Sequence, residues 1–431
     1  MNEQQHDLTM QAIKQQPVSP FSALAPRPKT VEETHLSKQF LTELVSKHLY
    51  DAGALTISQL VNRACLSGAI IEEILNYLRQ EARLEVLPRL GHGQELFYGL
   101  TDLGRVAAHE ALNKNGYIGP APVPVSVYEK VVAAQSVHLV KVKQQQTQEA
   151  FKDIVIKDSL LDQLGPALNS GRSIVIYGPP GTGKTYITQC LTRLLTDLCL
   201  IPHAISGNES VIQLSDPLVH VSVLPNNDAE RSGSLLFQEG YDPRFKLCKR
   251  PVVISGGELT LDMLEVQYEP ATKIYRAPLQ LKANNGMYII DDMGRQRVAP
   301  VALFNRWIVP MEEKRDHLSL GNGHNFEIPF DEILIFSPIS TRWSWAMQPF
   351  CDASGTKFSS IRWIVRRSAR SGSRCAQKNR SISIRTYSII SLTTTTSGNT
   401  APCCRAIRET CWELHRTKRF IWETPPNCQK N

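Results

Sequence analysis

Residues 173–195, SIVIYGPPGTGKTYITQCLTRLL, run from a β-branched apolar stretch through a glycine-rich turn into a helical pattern. No other segment restricts the fold so tightly. Gly178, Pro179, Pro180, Gly181, Thr182, Gly183, Lys184 and Thr185 match G-x-x-x-x-G-K-[ST] without a gap. Glycine lets such a loop curl with its N–H groups turned inward around phosphate. Lys184 supplies a point charge at the β/γ-phosphates, and the Thr185 hydroxyl suits a Mg2+ ligand. The helix that follows adds its N-terminal dipole. A glycine-rich turn alone needs no ligand; strand, loop and helix in this order favour phosphate binding.

About a hundred residues on, GMYIIDDMGRQ (286–296) reads as an apolar strand ending in two carboxylates, Asp291 and Asp292. On its own such a run is an ordinary strand end. With a phosphate loop upstream, it becomes the second half of a nucleotide and metal site.

On these motifs the chain resembles the AAA+ ATPases. The run 301–337, VALFNRWIVPMEEKRDHLSLGNGHNFEIPFDEILIFS, looks like their helix bearing Met-Glu-Glu, then a hairpin, then the strand that carries the sensor-1 residue. The resemblance covers about 150–337. It implies an α/β fold with a mainly parallel sheet, ATP as ligand and Mg2+ held by Thr185 and by Asp291 through water. Asp292 would be the catalytic base; it is one methylene shorter than the usual Glu. The family further implies a homo-oligomeric ring that uses ATP to remodel another macromolecule, with the client unknown.

Ahead of this core, residues 1–36 are Gln- and Pro-rich without period and read as a flexible leader. Residues 37–116 are periodic. Helices are expected from 37 to 53, from 56 to 65 with Thr56 as N-cap, and from 67 to 79. LEVLPRLGHGQELFYGLT reads as a hairpin, and Leu103–Leu112 as a closing helix. Together they resemble a winged-helix domain, a small α+β unit. Such a domain either reads DNA or docks a protein. Glu72 and Glu73 near the start of the third helix oppose insertion against phosphate. Residues 117–149 read as a Pro-rich linker.

Several other residues carry weaker signals. Glu258, at the end of RPVVISGGELT, is a weak candidate to face nucleotide. Tyr268 and Tyr275 suit either a substrate-gripping loop or plain packing. Arg306 and Trp307 fit a helix interface or core. Histidines lack metal spacing, and the cysteines before residue 338 form no C-x-x-C pair, which suits reduced, buried thiols.

The net charge of +7 over 431 residues is unevenly spread. Residues 338–431 hold 16 Lys/Arg against 4 Asp/Glu, with six of ten Cys, five of six Trp and two Leu; residues 1–337 hold 32 against 37. A basic nucleic-acid arm is one reading. Translation in a wrong frame is the other, and the genetic code allows a check. Read one base earlier, Trp345–Ala346 must give Gly, Met347–Gln348 must give Ala, and Phe350–Cys351 must give Leu. Permitted codons elsewhere allow Thr-Asn-Leu-Asp-Pro-Leu-Glu-Leu-Gly-Asp-Ala-Ala-Phe-Leu-Arg-Arg-Ile, which supplies the sensor-1 Asn and an Arg pair that the family resemblance calls for. The expectation is a frameshifted, poorly structured tail and an incomplete ATPase core.

No apolar run approaches the roughly 20 residues of a membrane span, and the first residues lack an apolar signal core. The cytoplasm is the expected compartment. Three functions compete: an ATP-driven protein remodeller, a nucleic-acid-linked ATPase, and an ATP-binding relic with little hydrolysis.

Overall fold

The computed structural model describes residues 19–87, 96–152, 158–177, 183–207, 210–223, 240–321, 323–338, 359–365 and 382–388. It opens with helix α1 (Ser19–Leu24). There follow α2 (Lys38–Ala52), β1 (Ala54–Leu55), α3 (Ile57–Ala64), α4 (Gly68–Gln80), β2 (Leu84–Leu87), β3 (Phe97–Leu100) and α5 (Asp102–Lys114). Helix starts follow local chemistry. Ser37 accepts from the Phe40 N–H, Thr56 and Gln59 close a reciprocal capping box, and Thr101 accepts from the Gly104 N–H. The strands pair antiparallel in the order β1-β3-β2. Leu41, Leu44, Leu49, Leu60, Ile71 and Ile74 form the core beneath them. The expected helices and hairpin strands are present; the hairpin tip, 88–95, lies outside the described residues.

Two expectations need correction. From Ser19 onward the leader is packed, not flexible. Arg244 and Asp242, both 2% exposed, form a 2.8 Å ion pair, and Arg244 Nη1 donates to the Thr34 carbonyl at 3.1 Å. The Asp242 N–H donates to the Ala25 carbonyl at 2.8 Å. Leader carbonyls thus find partners some two hundred residues away, which no local pattern reveals. The linker is likewise structured: it holds β4 (Val123–Pro124), α6 (Val125–Ala134) and α7 (Gln144–Ala150). Pro124 starts α6 with a φ already suited to a helix.

Next come α8 (Asp158–Asn169), β5 (Ile174–Tyr177) and α9 (Lys184–Thr192). An unforeseen segment follows, with β6 (Leu198–Pro202), β7 (Ala204–Gly207), β8 (Ser210–Gln213) and β9 (Phe245–Lys249). Then come β10 (Val252–Ser255), β11 (Gln267–Glu269), β12 (Ile274–Arg276), α10 (Leu279–Ala283), β13 (Gly286–Met293) and α11 (Pro300–Glu313). The last elements are β14 (Arg315–Ser319), β15 (Asn325–Pro329), β16 (Glu332–Pro338), β17 (Ser359–Val365) and β18 (Ile382–Ser388).

The fold is mixed α/β around a six-stranded sheet of order β10-β13-β16-β5-β17-β18. The pairs β10–β13, β13–β16, β16–β5 and β5–β17 are parallel. Alternation along its strands sends side chains to two cores. Ile174, Ile176, Met287, Ile289, Ile333 and Ile335 pack with Leu164 of α8 and Ile187 of α9. Val175, Tyr288, Ile290, Leu334 and Phe336 pack with Leu303, Phe304 and Trp307 of α11. A second sheet, β11-β12-β8-β7-β4, and the β6–β9 ladder lie outside the sequence expectation.

For residues 338–431 the sequence expectation is a frameshifted, poorly structured tail. Within it β17 pairs with β5 and β18 forms the outermost strand; their Ile, Val, Trp, Thr and Tyr content favours extended pairing. The other residues of that region after Pro338 lie outside the described residues. Among the described residues, no helix is long and apolar enough to cross a membrane.

Candidate functional site

In a parallel sheet, loops after the strands' carboxyl ends form the ligand crevice. Here β5 and β13, separated by β16, bring the two sequence motifs to one end of the sheet. Gly178, Pro179, Pro180, Gly181 and Thr182 lie outside the described residues. Gly183 follows them with φ +87°, a left-handed conformation that suits glycine, and serves as the cap from which α9 starts. Lys184 is buried at the first position of α9. Burial pushes its ammonium below the ordinary lysine value, while attraction to Asp291 and then Asp292 pulls it back. A positive side chain is therefore held beside two carboxylates at a helix N-terminus.

Thr185 Oγ1 donates to Asp291 Oδ2 at 2.6 Å. Asp291 is 9% exposed, and its Oδ1 accepts the Asp292 N–H at 2.9 Å. Hydroxyl and carboxylate are the hard oxygen donors that Mg2+ prefers, so the pair fits that ion.

The β13–β16 register slips at this point. Ile290 pairs with Phe336 and Met293 with Pro338, so Asp291 and Asp292 together face Ser337. This is a bulge, the irregularity that re-aims side chains beside functional sites. Asp292 takes φ +50°, an uncommon conformation for a residue with a Cβ. Its Oδ2 accepts from Arg295 Nη1 at 2.8 Å. Gln296 pins the turn: Nε2 donates to the carbonyls of Gly256 at 3.0 Å and Asp291 at 3.3 Å, and Oε1 accepts the Gly294 N–H at 2.7 Å. The Ser337 hydroxyl is fully buried and has no hydrogen-bond partner among the described residues.

Of the described sequence candidates, Lys184, Thr185, Asp291 and Asp292 come together. Arg295, Gln296 and Ser337 are additions; the GRQ that follows Met293, just past the carboxylates, was the available signal for the first two. Glu258 turns back to accept the Gly256 N–H at 2.7 Å. Trp307 is fully buried, and Arg306 pairs with Asp316 and Glu265, both at 2.7 Å. Tyr268 and Tyr275 are cross-strand partners on β11 and β12 with ring centroids 4.9 Å apart. The four described cysteines are buried and none forms a disulfide among the described residues, where no cluster of metal-ligating His, Cys, Asp or Glu occurs either.

No protein-family model and no curated protein matches the sequence. Among solved structures, NtrX from Brucella abortus in complex with ATP is 13% identical, covering 59% of this chain and 38% of that one, with a TM-score of 0.22. The complex between subunits BchI and BchD of magnesium chelatase gives 16% identity, 48% and 55% coverage and a TM-score of 0.26. NadR in complex with 4-hydroxyphenylacetate gives 18%, 25% and 65%, and 0.16. The chain spans less than two thirds of each, and likeness at this level decides neither fold nor function.

Proposed function

We propose that the chain is an AAA+-like ATP-binding protein in which Lys184 and the backbone of 178–185 bind the phosphates. Thr185 and Asp291 hold Mg2+, and Asp292 accepts a proton from the attacking water. The carrying observation is the 2.6 Å bond between Thr185 and Asp291, which joins the first turn of α9 to the end of β13 beside a buried Lys184. Bound Mg2+ would neutralise charge developing on the phosphate oxygens. The chain's own contribution is a helix dipole and a lysine aimed at the same charge.

The preferred reading couples hydrolysis to remodelling of a protein client by a cytoplasmic ring, with residues 37–116 as a winged-helix docking module. Glu72 and Glu73, in the second turn of α4, oppose insertion against phosphate and favour docking; Glu73 is paired with Lys38 at 2.9 Å on that surface. The nucleic-acid reading requires salt-dependent DNA binding. The relic reading follows from the tail. If 338–431 is a frameshift product, the helical lid, sensor-1 Asn and Arg finger are missing, and an Arg finger is worth ~10³–10⁵ in rate.

Binding of a fluorescent ATP analogue to the full chain, alongside phosphate release, tests this scheme. Binding with slow release supports the relic; binding with ordinary turnover supports an active ATPase; absence of binding ends all three. Resequencing the DNA around the Ser337 codon tests the frameshift: an intact frame together with ordinary turnover contradicts it.

A further inference from the structure

Asp292 is held through both its backbone and its side chain. The bulge opposite Ser337 and the φ of +50° set its direction, and Arg295 occupies its Oδ2. The Arg295 N–H also donates to the Asp292 carbonyl at 3.1 Å, closing the turn on itself. Gln296, 9% exposed, ties the same turn to Gly256 at the end of β10 and to the Asp291 carbonyl. The backbone is thereby anchored from the protein side, while the ion pair faces solvent: the side chains of Arg295 and Asp292 are 63% and 42% exposed.

We infer that Arg295 is a positioning residue that holds Asp292 in a resting arrangement, and that releasing this pair raises the rate of hydrolysis. The inference rests on the nucleotide-site reading given above. A base must point a lone pair at the water it activates. An Asp292 oxygen that accepts from Arg295 Nη1 at 2.8 Å is turned away from that task. The clamp is soft by construction, since an exposed pair contributes little and competing anions displace it readily. Gln296 keeps the bulge in place when the pair opens, so only two side chains have to move.

The test uses the full-length chain with Arg295→Ala and Arg295→Lys, measuring affinity for a fluorescent ATP analogue and steady-state phosphate release. The expected result is unchanged affinity and KM with kcat raised about two- to fivefold in Arg295→Ala, the size that an exposed pair supports. Arg295→Lys, which keeps the charge, should return toward the parent. If the parent binds but releases no phosphate, release that appears in Arg295→Ala supports the clamp. Equal or lower kcat in Arg295→Ala with intact binding overturns it, as does binding without release in both proteins. Loss of binding in parent and variants alike overturns the nucleotide reading and the clamp with it. A purely packing role for Arg295 would lower stability and leave kcat and KM tied together.

Discussion

Thr185 and Asp291 are 106 residues apart in sequence and share a 2.6 Å hydrogen bond at the end of the parallel sheet. A carboxylate in that position is expected to hold Mg2+ with a bound nucleotide. Asp291→Asn keeps the shape and removes the charge. Nucleotide affinity measured with Mg2+ and with a chelator should show a clear metal advantage in the parent, reduced about tenfold or more in the variant. An undiminished metal advantage would mean that Asp291 is an ordinary strand end.

His220 gives the fold a defined acid sensitivity. Its Nδ1 accepts the Asp216 N–H at 2.9 Å, so the ring proton is on Nε2, which donates to the Lys282 carbonyl at 2.9 Å. Burial pushes its pKa down to about 4. An unfolded histidine titrates near 6.5. Between these values the unfolded chain binds the extra proton, so stability is full above about pH 6.5 and falls as pH drops toward 4. The loss reaches ~3 kcal/mol at most. Urea unfolding at several pH values should show this slope in the parent and a flatter one in His220→Gln. Identical slopes would remove His220 from the explanation.

The Arg244–Asp242 pair should be a strong point of the scaffold. Both side chains are 2% exposed, and Asp242→Ala strands a charge in the interior. Such losses cost about 3–5 kcal/mol. Arg315→Ala removes an exposed pair with Glu327 (3.1 Å, 52% and 50% exposed) and should cost less than about 1 kcal/mol. Comparable unfolding midpoints for the two variants would contradict the packing described for residues 19–36.

What the sequence made legible was local. Thr56 caps α3 as read, because a hydroxyl three residues before Gln59 satisfies its own helix. The strands around Ile174 and Ile289 were readable because burial on both faces leaves an unbroken apolar run. The β6–β9 ladder was not readable: Leu200 pairs with Leu247, and neither strand marks the other across 47 residues. The docking of Thr34 on Arg244 is hidden for the same reason. In the site, residue types pointed to Lys184, Thr185, Asp291 and Asp292. The bulge that turns Asp292 toward Arg295 depends on register against β16, which is a tertiary property.

Lys184 is buried at the first position of α9, where the glycine-rich motif ends. The most direct measurement is calorimetric titration of Mg-ATP into the full chain and into Lys184→Ala. The parent should show saturable one-site binding and Lys184→Ala binding below detection, with both proteins equally folded by circular dichroism. Equal affinity in the two proteins would contradict phosphate binding by Lys184.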